Sequence, residues 1–200
     1  NYGEEVTLDE LLEEIMKYKT FMDFSNGGVT VSGGEPLLQK KFVAKLFEEL
    51  RNLDIHTALD TSGFTNIDED VKRLLEYTSL VLLDIKHLDP VEHKDLTGVD
   101  NKRTLEFLRY LDENKIKSWI RYVVLPGFND SPEYVERFAE FIKQFKSVKK
   151  VEILPYHELG KDKWEKLGLV YQLNHVSEPT KEKIKEIVGI LKSKGISTLC

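Results

Sequence analysis

Two hydrophobic periodicities alternate along this chain, and this alternation constrains the fold more than any other feature of the sequence. Short apolar runs of strand length are followed by stretches in which apolar residues recur every three or four positions, as on one face of a helix. The strand-like runs cover residues 27–31, 55–61, 80–86, 118–124, 151–154 and 196–199. This pattern predicts an α/β fold with a parallel sheet, either doubly wound or built as a full or partial (β/α) barrel.

The chain enters this alternation on a helix instead of a strand. Thr7 and Glu10 have the spacing of a capping box, and apolar residues at helical spacing follow directly. A parallel α/β series that opens on a helix indicates that a leading strand and its loop precede Asn1 in the natural protein. We therefore expect a single domain over residues 1–200, truncated at its N-terminus.

The composition argues against several classes of protein. Lys and Arg number 29 against 35 Asp and Glu, and the net charge of −6 argues against a nucleic-acid partner. No apolar run approaches the roughly 18 residues of a membrane span, so we expect no membrane partner. Cys200 is the only cysteine, which excludes a disulfide framework and a cysteine-rich metal or iron–sulfur site within these residues. No signal-like segment is visible, so a cytoplasmic location is expected.

Glycines and polar residues stand where the predicted strands end, at the edge of a parallel sheet where ligands bind. They are Gly33, Gly34 and Glu35 after the first strand, Asp60 and Thr61 at the second, Asp84 and Lys86 at the third, Arg121 in the fourth and His157 after the fifth. Glycines allow a ligand to approach the backbone, and the charged groups suit a zwitterion. Their convergence predicts a small-molecule site at this edge.

Each of these residues also has a structural explanation when it is taken alone. The glycine pair suits a tight turn, and Asp60 suits a cap of the turn that follows it. Asp84 and Lys86 are two residues apart and share one face of a strand, where they form either a structural ion pair or a ligand-binding pair. A single histidine near a strand end, such as His157, is more often structural than catalytic.

Six longer strings, distributed between residues 28 and 160, make the sequence recognisable. They are Gly28-Val-Thr-Val-Ser-Gly-Gly-Glu-Pro36, Leu59-Asp-Thr-Ser-Gly-Phe64, Leu82-Leu-Asp-Ile-Lys86, Leu96-Thr-Gly-Val-Asp-Asn-Lys-Arg-Thr-Leu-Glu-Phe107, Trp119-Ile-Arg-Tyr-Val-Val-Leu-Pro-Gly127 and Leu154-Pro-Tyr-His-Glu-Leu-Gly160. The sequence resembles the pyruvate formate-lyase activating enzymes, which are glycyl-radical-enzyme activases of the radical S-adenosylmethionine (radical SAM) superfamily. The resemblance implies a partial parallel (β/α)₆ barrel, here without its first strand and cluster loop.

The resemblance also implies roles for the residues at the strand ends. For S-adenosylmethionine it implies that Gly33, Gly34 and Glu35 hold the methionyl amine, Lys86 the carboxylate and His157 the adenosine, with Arg121 lining the site. For a monovalent cation, Na⁺ or K⁺, it implies Asp60, Thr61, the backbone carbonyl of Leu82 and Asp84 as ligands.

The chemistry that the resemblance implies is that of an oxidoreductase. In the family, a [4Fe–4S] cluster reductively cleaves S-adenosylmethionine to a 5′-deoxyadenosyl radical, which takes hydrogen from a glycine of the partner enzyme. A Cys-x₃-Cys-x₂-Cys loop holds that cluster, and this sequence lacks it. We therefore expect no catalytic residue and no cluster ligand within these residues, a cluster in the full-length protein only, and no activity from this chain alone.

The resemblance implies a glycyl radical enzyme as the partner, pyruvate formate-lyase first, in anaerobic glucose metabolism. It also implies a flavodoxin-type electron donor for the full-length protein. Two other functions stay open at this point. One is a non-catalytic domain that binds S-adenosylmethionine or the partner. The other is a Schiff-base enzyme of aldolase type that uses Lys86, which the neighbouring Asp84 disfavours because a carboxylate favours the charged amine.

Overall fold

Strands and helices alternate in the computed structural model, which describes residues 3–157, 173 and 176–200 of the 200-residue chain. The strands within these ranges, named β1 to β6, are Gly28–Val31, His56–Thr61, Leu80–Asp84, Ser118–Val124, Val148–Pro155 and Thr198–Leu199. The α-helices, named α1 to α8, are Leu8–Met16, Lys19–Ser25, Lys40–Asn52, Glu69–Glu76, Pro90–Thr97, Lys102–Glu113, Pro132–Ile142 and Lys181–Ser193. The predicted α/β class with six strands is confirmed.

Polar side chains fix the starts of several helices. Thr7 and Glu10 form the predicted capping box of α1: the Thr7 N–H donates to Glu10 Oε2 at 2.8 Å, and the Glu10 N–H donates to Thr7 Oγ1 at 3.3 Å. Ser131 caps α7 by accepting the Tyr134 N–H at 3.2 Å, and Pro132 occupies the first helical position. These short-range signals explain why the sequence pattern located both helices.

The described residues divide into two compact units, of which the first comprises residues 3–83 and 103–118. In this unit β1, β2 and β3 run parallel in chain order, with Val29 opposite Thr57 and Asp60 opposite Leu82. Its fully buried side chains come from β2, β3 and helices α3, α4 and α6. They include Phe47, Leu50, Leu59, Val71, Leu74, Val81, Leu83, Phe107, Leu108 and Leu111.

The second unit comprises residues 84–102, 119–157, 173 and 176–200. It contains β4, β5 and β6 in chain order, and β5 and β6 are parallel, with Val151 opposite Thr198. Its fully buried side chains come from β4, β5, α7 and α8, and they include Ile120, Val124, Val135, Phe138, Ala139, Val151, Ile187 and Leu191. Each unit therefore contains fully buried apolar side chains from both strands and helices.

The structure differs from the sequence-based expectation in a few elements. The third strand was expected to run to Lys86, but β3 ends at Asp84, although the Ile85 N–H still donates to the Arg121 carbonyl at 3.3 Å. β5 begins earlier than expected, at Val148. Helices α2 and α5 were not predicted, because α2 has no buried residue and α5 has little amphipathic pattern. In the described ranges, none of the helices has the length and apolar character needed to cross a bilayer.

Candidate functional site

The loop after β1, in the first unit, exposes its backbone on one side. Gly33 and Gly34 have φ angles of +88° and +24°, a region that favours glycine. A Cβ built at either position would meet no atom within 4 Å. The space beside the two glycines is therefore open, and a ligand can approach their peptide groups directly.

A cavity of about 840 Å³ adjoins this loop within the first unit. Its polar lining includes residues Ser32 to Glu35 together with Glu4 and Glu5, and its apolar lining includes Leu11 of α1 and Phe42 of α3. Ligand sites of proteins commonly enclose about 300–1,000 Å³ and combine apolar walls with a few polar groups. The size and mixed lining of the cavity suit a small molecule.

Glu35 joins this loop to the end of β2. Its Oε1 accepts the Leu37 N–H at 3.1 Å and the Thr61 hydroxyl at 2.6 Å. Its Oε2 accepts the N–H and the hydroxyl of Ser62 at 3.0 and 2.6 Å. Because a carboxylate offers about four acceptor positions, these four hydrogen bonds occupy them all. Glu35 is thus a structural anchor of the glycine loop.

Asp60 and Thr61 end β2 with different environments. Asp60 is half-buried, and its Oδ2 accepts the Ser32 hydroxyl at 2.8 Å, which gives the glycine loop a second attachment to β2. Thr61 is buried, and its hydroxyl donates to Glu35 while it accepts the Gly63 N–H at 3.0 Å. The structure therefore brings two predicted site residues, Glu35 and Thr61, into direct contact.

In the second unit, Asp84 and Lys86 form a partly shielded ion pair. Lys86 Nζ lies 3.1 Å from Asp84 Oδ2, and the two side chains are 33 % and 22 % exposed. The other oxygen, Asp84 Oδ1, is buried and has no hydrogen-bond partner among the described residues. A buried carboxylate oxygen without a partner is costly, so this oxygen is suited to a ligand that carries positive charge.

Arg121, also in the second unit, lies in β4, and its side chain is on the same face of the sheet as that of Glu152 in β5. Its Nε donates to Glu152 Oε2 at 3.2 Å, and both side chains are about one quarter exposed. Two residues earlier on each strand, Lys150 Nζ lies 4.7 Å from the ring centroid of Trp119. These contacts form a polar face along the two strands, with the guanidinium held in one place.

The two remaining predicted site residues have simpler surroundings. His157 is the second residue after β5 and is exposed, and the N–H of the preceding Tyr156 donates to the Val124 carbonyl at 3.2 Å. Leu82 is half-buried in β3, where its register partner is Asp60. The string after His157, Glu158 to Gly160, lies outside the described residues.

Metal-binding groups are sparse in the part of the chain that the structure describes. No three His, Cys, Asp or Glu side chains come together there as metal ligands would. Cys200 is exposed and free. A [4Fe–4S] cluster of this class needs three thiolates, so residues 1–200, with their single cysteine, do not fit that group.

Sequence reasoning missed several residues that hold the site together. Ser32 and Ser62 supply hydroxyls to Asp60 and Glu35, and Glu152 orients Arg121. Both serines lie inside the strings that carry the family resemblance, beside the predicted site residues. No local pattern marked Glu152, because its partner is 31 positions away in the chain.

Comparison with known proteins identifies the class. The family model described as "Radical SAM superfamily" matches residues 1–142, more than half of the chain. The pyruvate formate-lyase 1-activating enzyme of Escherichia coli (strain K12) is 46 % identical over 194 residues, which cover 96 % of this chain and 79 % of that protein. The pyruvate formate-lyase-activating enzyme of Staphylococcus aureus (strain USA300) is 46 % identical over 196 residues, covering 96 % and 78 %.

Solved structures agree with this result. A domain of the pyruvate-formate lyase-activating enzyme from Bacteroides vulgatus ATCC 8482 has a TM-score of 0.72 and 25 % identity, covering 86 % of this chain and 98 % of that one. Streptococcus suis SuiB bound to S-adenosylmethionine has a TM-score of 0.72 at 17 % identity, covering 100 % of this chain and 44 % of that one, which shows the fold alone. The fold and the matched residues define a radical SAM enzyme, an oxidoreductase. Within that superfamily, the chain belongs to the pyruvate formate-lyase activating enzymes.

Proposed function

We propose that this chain provides the S-adenosylmethionine site of a radical SAM barrel domain over residues 1–200, with pyruvate formate-lyase as the partner that receives the glycyl radical. The observation that carries the proposal is the Asp84–Lys86 pair, in which one carboxylate oxygen is buried and unpartnered among the described residues while the ammonium lies on the same segment. A zwitterionic cofactor with a bound cation provides a partner for both groups, because its carboxylate pairs with Lys86 and the cation pairs with Asp84. S-Adenosylmethionine supplies a carboxylate, an amine and a sulfonium.

The glycine loop is proposed to receive the methionyl amine. The backbone oxygens of Gly33 and Gly34 and the carboxylate of Glu35 are the proposed acceptors. That carboxylate also accepts four hydrogen bonds within the protein. Glu35 contributes its negative charge and fixes the loop against β2.

Lys86 is proposed to bind the carboxylate of the cofactor, since its contact with Asp84 at 3.1 Å holds the ammonium in one orientation. Arg121 is proposed to line the same ligand, and Glu152 holds its guanidinium in place. His157 is proposed to contact the adenosine. The exposure of His157 is consistent with a ring that is available to a ligand.

Asp84 is proposed to bind a monovalent cation, Na⁺ or K⁺, through its buried oxygen Oδ1. Oxygen donors are the ligands that hard cations prefer. For Asp60, Thr61 and the Leu82 carbonyl, the proposal as cation ligands rests on the family resemblance alone.

When bound, a [4Fe–4S] cluster supplies the electron that cleaves the sulfonium in this superfamily. The single cysteine among these residues does not fit such a cluster, so no step through it is assigned to them. Their proposed work is to bind the cofactor, orient it and exclude water from it. A flavodoxin-type electron donor is a further proposal that rests on the resemblance. A cytoplasmic location is also proposed.

Calorimetric titration with S-adenosylmethionine tests the proposal. We expect the affinity to be higher in NaCl or KCl than in tetramethylammonium chloride at the same ionic strength, because the larger cation does not fit between carboxylate ligands. Asp84→Asn is expected to weaken binding and to abolish this difference. Asp70→Asn is the control, because Asp70 is a surface partner of Lys41 at 3.7 Å. Equal affinity in all three salts would contradict the cation, and absence of binding would contradict the cofactor site.

A further inference from the structure

After β3 ends at Asp84, buried side chains take over the hydrogen bonds of the backbone that follows. The Lys86 carbonyl accepts Asn129 Nδ2 at 3.3 Å, and the carbonyls of His87 and Leu88 accept Asn101 Nδ2 at 3.1 and 2.7 Å. The Leu88 N–H donates to the Tyr134 hydroxyl oxygen at 2.9 Å. Residues 86–88 therefore depend on side chains from distant parts of the second unit for their conformation.

Asn129 has the central position among these side chains. It is fully buried, and its amide makes three hydrogen bonds. Nδ2 donates to the carbonyls of Lys86 and Val123, at 3.3 and 2.8 Å, and Oδ1 accepts the Leu125 N–H at 2.8 Å. One side chain thus ties the backbone of Lys86 to the end of β4.

The position of Asn129 is itself fixed. The Tyr122 hydroxyl donates to the Asn129 carbonyl, and both residues are buried. The ring of Tyr134 stacks on His87 with 4.5 Å between ring centroids. Burial raises the pKa of Tyr134 to about 12, so its hydroxyl stays protonated while its oxygen accepts the Leu88 N–H. The segment that carries Lys86 is therefore held by two buried side chains, those of Asn129 and Tyr134.

We infer that Asn129 is a positioning residue for Lys86: by holding the Lys86 carbonyl to the end of β4, it aims the Lys86 ammonium at the carboxylate of S-adenosylmethionine. The inference rests on the proposed role of Lys86. The Lys86 carbonyl carbon is bonded to the Cα that carries the ammonium chain, so a shift of this peptide moves the base of the side chain. A charged group must be placed accurately to favour one ligand, because its interaction with that ligand depends on distance.

The chemistry of the amide makes a selective perturbation available. Asn129→Asp keeps the size and the Oδ1 acceptor for Leu125, but it replaces the two N–H donors with an oxygen facing the carbonyls of Lys86 and Val123. Asn129→Ser is a milder variant that retains a single donor. Asn114→Asp is the matched control, because Asn114 Nδ2 donates to the Tyr110 carbonyl at 2.8 Å in an exposed place at the end of α6.

The test compares two ligands by titration calorimetry of the purified protein. S-Adenosylmethionine has the carboxylate that Lys86 is proposed to bind, whereas 5′-methylthioadenosine lacks the amino acid part. We expect Asn129→Asp to lower the affinity for S-adenosylmethionine about tenfold, which is the effect expected when one charged contact is misplaced. The affinity for 5′-methylthioadenosine is expected to change less than about twofold. The affinity of Asn129→Ser for S-adenosylmethionine is expected to lie between those of Asn129→Asp and the wild type.

A double-mutant cycle with Lys86→Met separates positioning from general stability. If Asn129 acts through Lys86, Asn129→Asp has little further effect on S-adenosylmethionine once the ammonium is absent. Equal weakening of both ligands, or additive effects in the cycle, would overturn the inference while leaving the cofactor site intact. If Lys86→Met alone leaves the affinity for S-adenosylmethionine unchanged, the proposed role of Lys86 is wrong and the inference is overturned with it. Should Asn129→Asp fail to fold, the same cycle with Asn129→Ser decides the question.

Discussion

Glu35→Gln is the substitution that most directly tests how the glycine loop is held. The amide oxygen of glutamine can still accept the hydrogen bonds from Leu37 and Thr61. The amide nitrogen would face the Ser62 N–H, which can only donate a hydrogen bond. The Ser62 hydroxyl, by contrast, can rotate and accept a hydrogen bond from the amide. The substitution therefore leaves one opposed pair of donors and removes the negative charge from the other three contacts.

The magnitude follows from these contacts. An unsatisfied, partly buried donor costs about 1–3 kcal/mol, and hydrogen bonds to a charged acceptor are worth about twice those to a neutral one. Because Glu35 is only half-buried and water can relieve part of the loss, we expect a decrease of about 2–3 kcal/mol in the free energy of unfolding. Ser62→Ala removes one hydroxyl contact and is expected to cost about 1 kcal/mol.

The assay is urea denaturation at pH 7, followed by circular dichroism, for wild type, Glu35→Gln, Ser62→Ala and the double variant. Glu106→Gln serves as the control, because Glu106 is an exposed glutamate on α6. The double variant is expected to be more stable than the sum of the single effects predicts, since Ser62 loses its charged partner in either case. A loss below about 0.5 kcal/mol for Glu35→Gln, within the range of an ordinary surface substitution, would refute the assignment of Glu35 as the anchor of the loop.

Two further predictions concern the packing of a glycine and the titration of a histidine. Gly63→Ala is expected to lower the free energy of unfolding by about 1–3 kcal/mol more than Gly98→Ala does. Both glycines have a positive φ, but only at Gly63 would a Cβ lie within 3.0 Å of Phe107. Similar losses of stability for the two variants in thermal denaturation would contradict this packing. The pKa of His56 lies below its ordinary 6.5, because of burial and then of the positive charge of Lys117, so the protein loses stability as pH falls from 6.5 towards the lowered pKa. An NMR titration is expected to show this pKa rising in Lys117→Met, and an unchanged pKa would exclude the charge effect.

The sequence pattern predicted the fold well wherever local chemistry decides the element. The capping box of α1 and the Ser131–Pro132 start of α7 act over three or four residues, so they are visible in the sequence. Helix α5 carries signals of the same kind, namely Asp89 before it, Pro90 at its start and Gly98 at its end, but its weak amphipathic pattern hides it. Helix α2 is a different case, because none of its residues is buried and its sequence has no apolar stripe that would predict a helix.

The candidate site was predicted residue by residue, but its hydrogen bonds were not. The motif residues stand in the strings that identify the family, whereas their partners are set by the fold. Glu35 meets Ser62 across 27 positions, and Asn129 meets Lys86 across 43. Such contacts depend on strand register and on loop conformation, which no local periodicity encodes. For this reason the sequence alone does not mark Asn129, which lies in a loop with no recognisable pattern.

Asp84 and Glu35 differ in how many hydrogen bonds their carboxylates make within the protein. Both were predicted as site residues because both lie where strands end. Glu35 has four donors around its two oxygens, so folding satisfies it without a ligand. Asp84 has Lys86 on one oxygen and, among the described residues, no hydrogen-bond donor on the other, which is nevertheless buried. Since an unpartnered buried carboxylate oxygen costs stability, we propose that a positively charged ligand is its partner. The same reasoning predicts that Asp84→Asn, unlike Glu35→Gln, lowers ligand affinity with little loss of stability in the free protein.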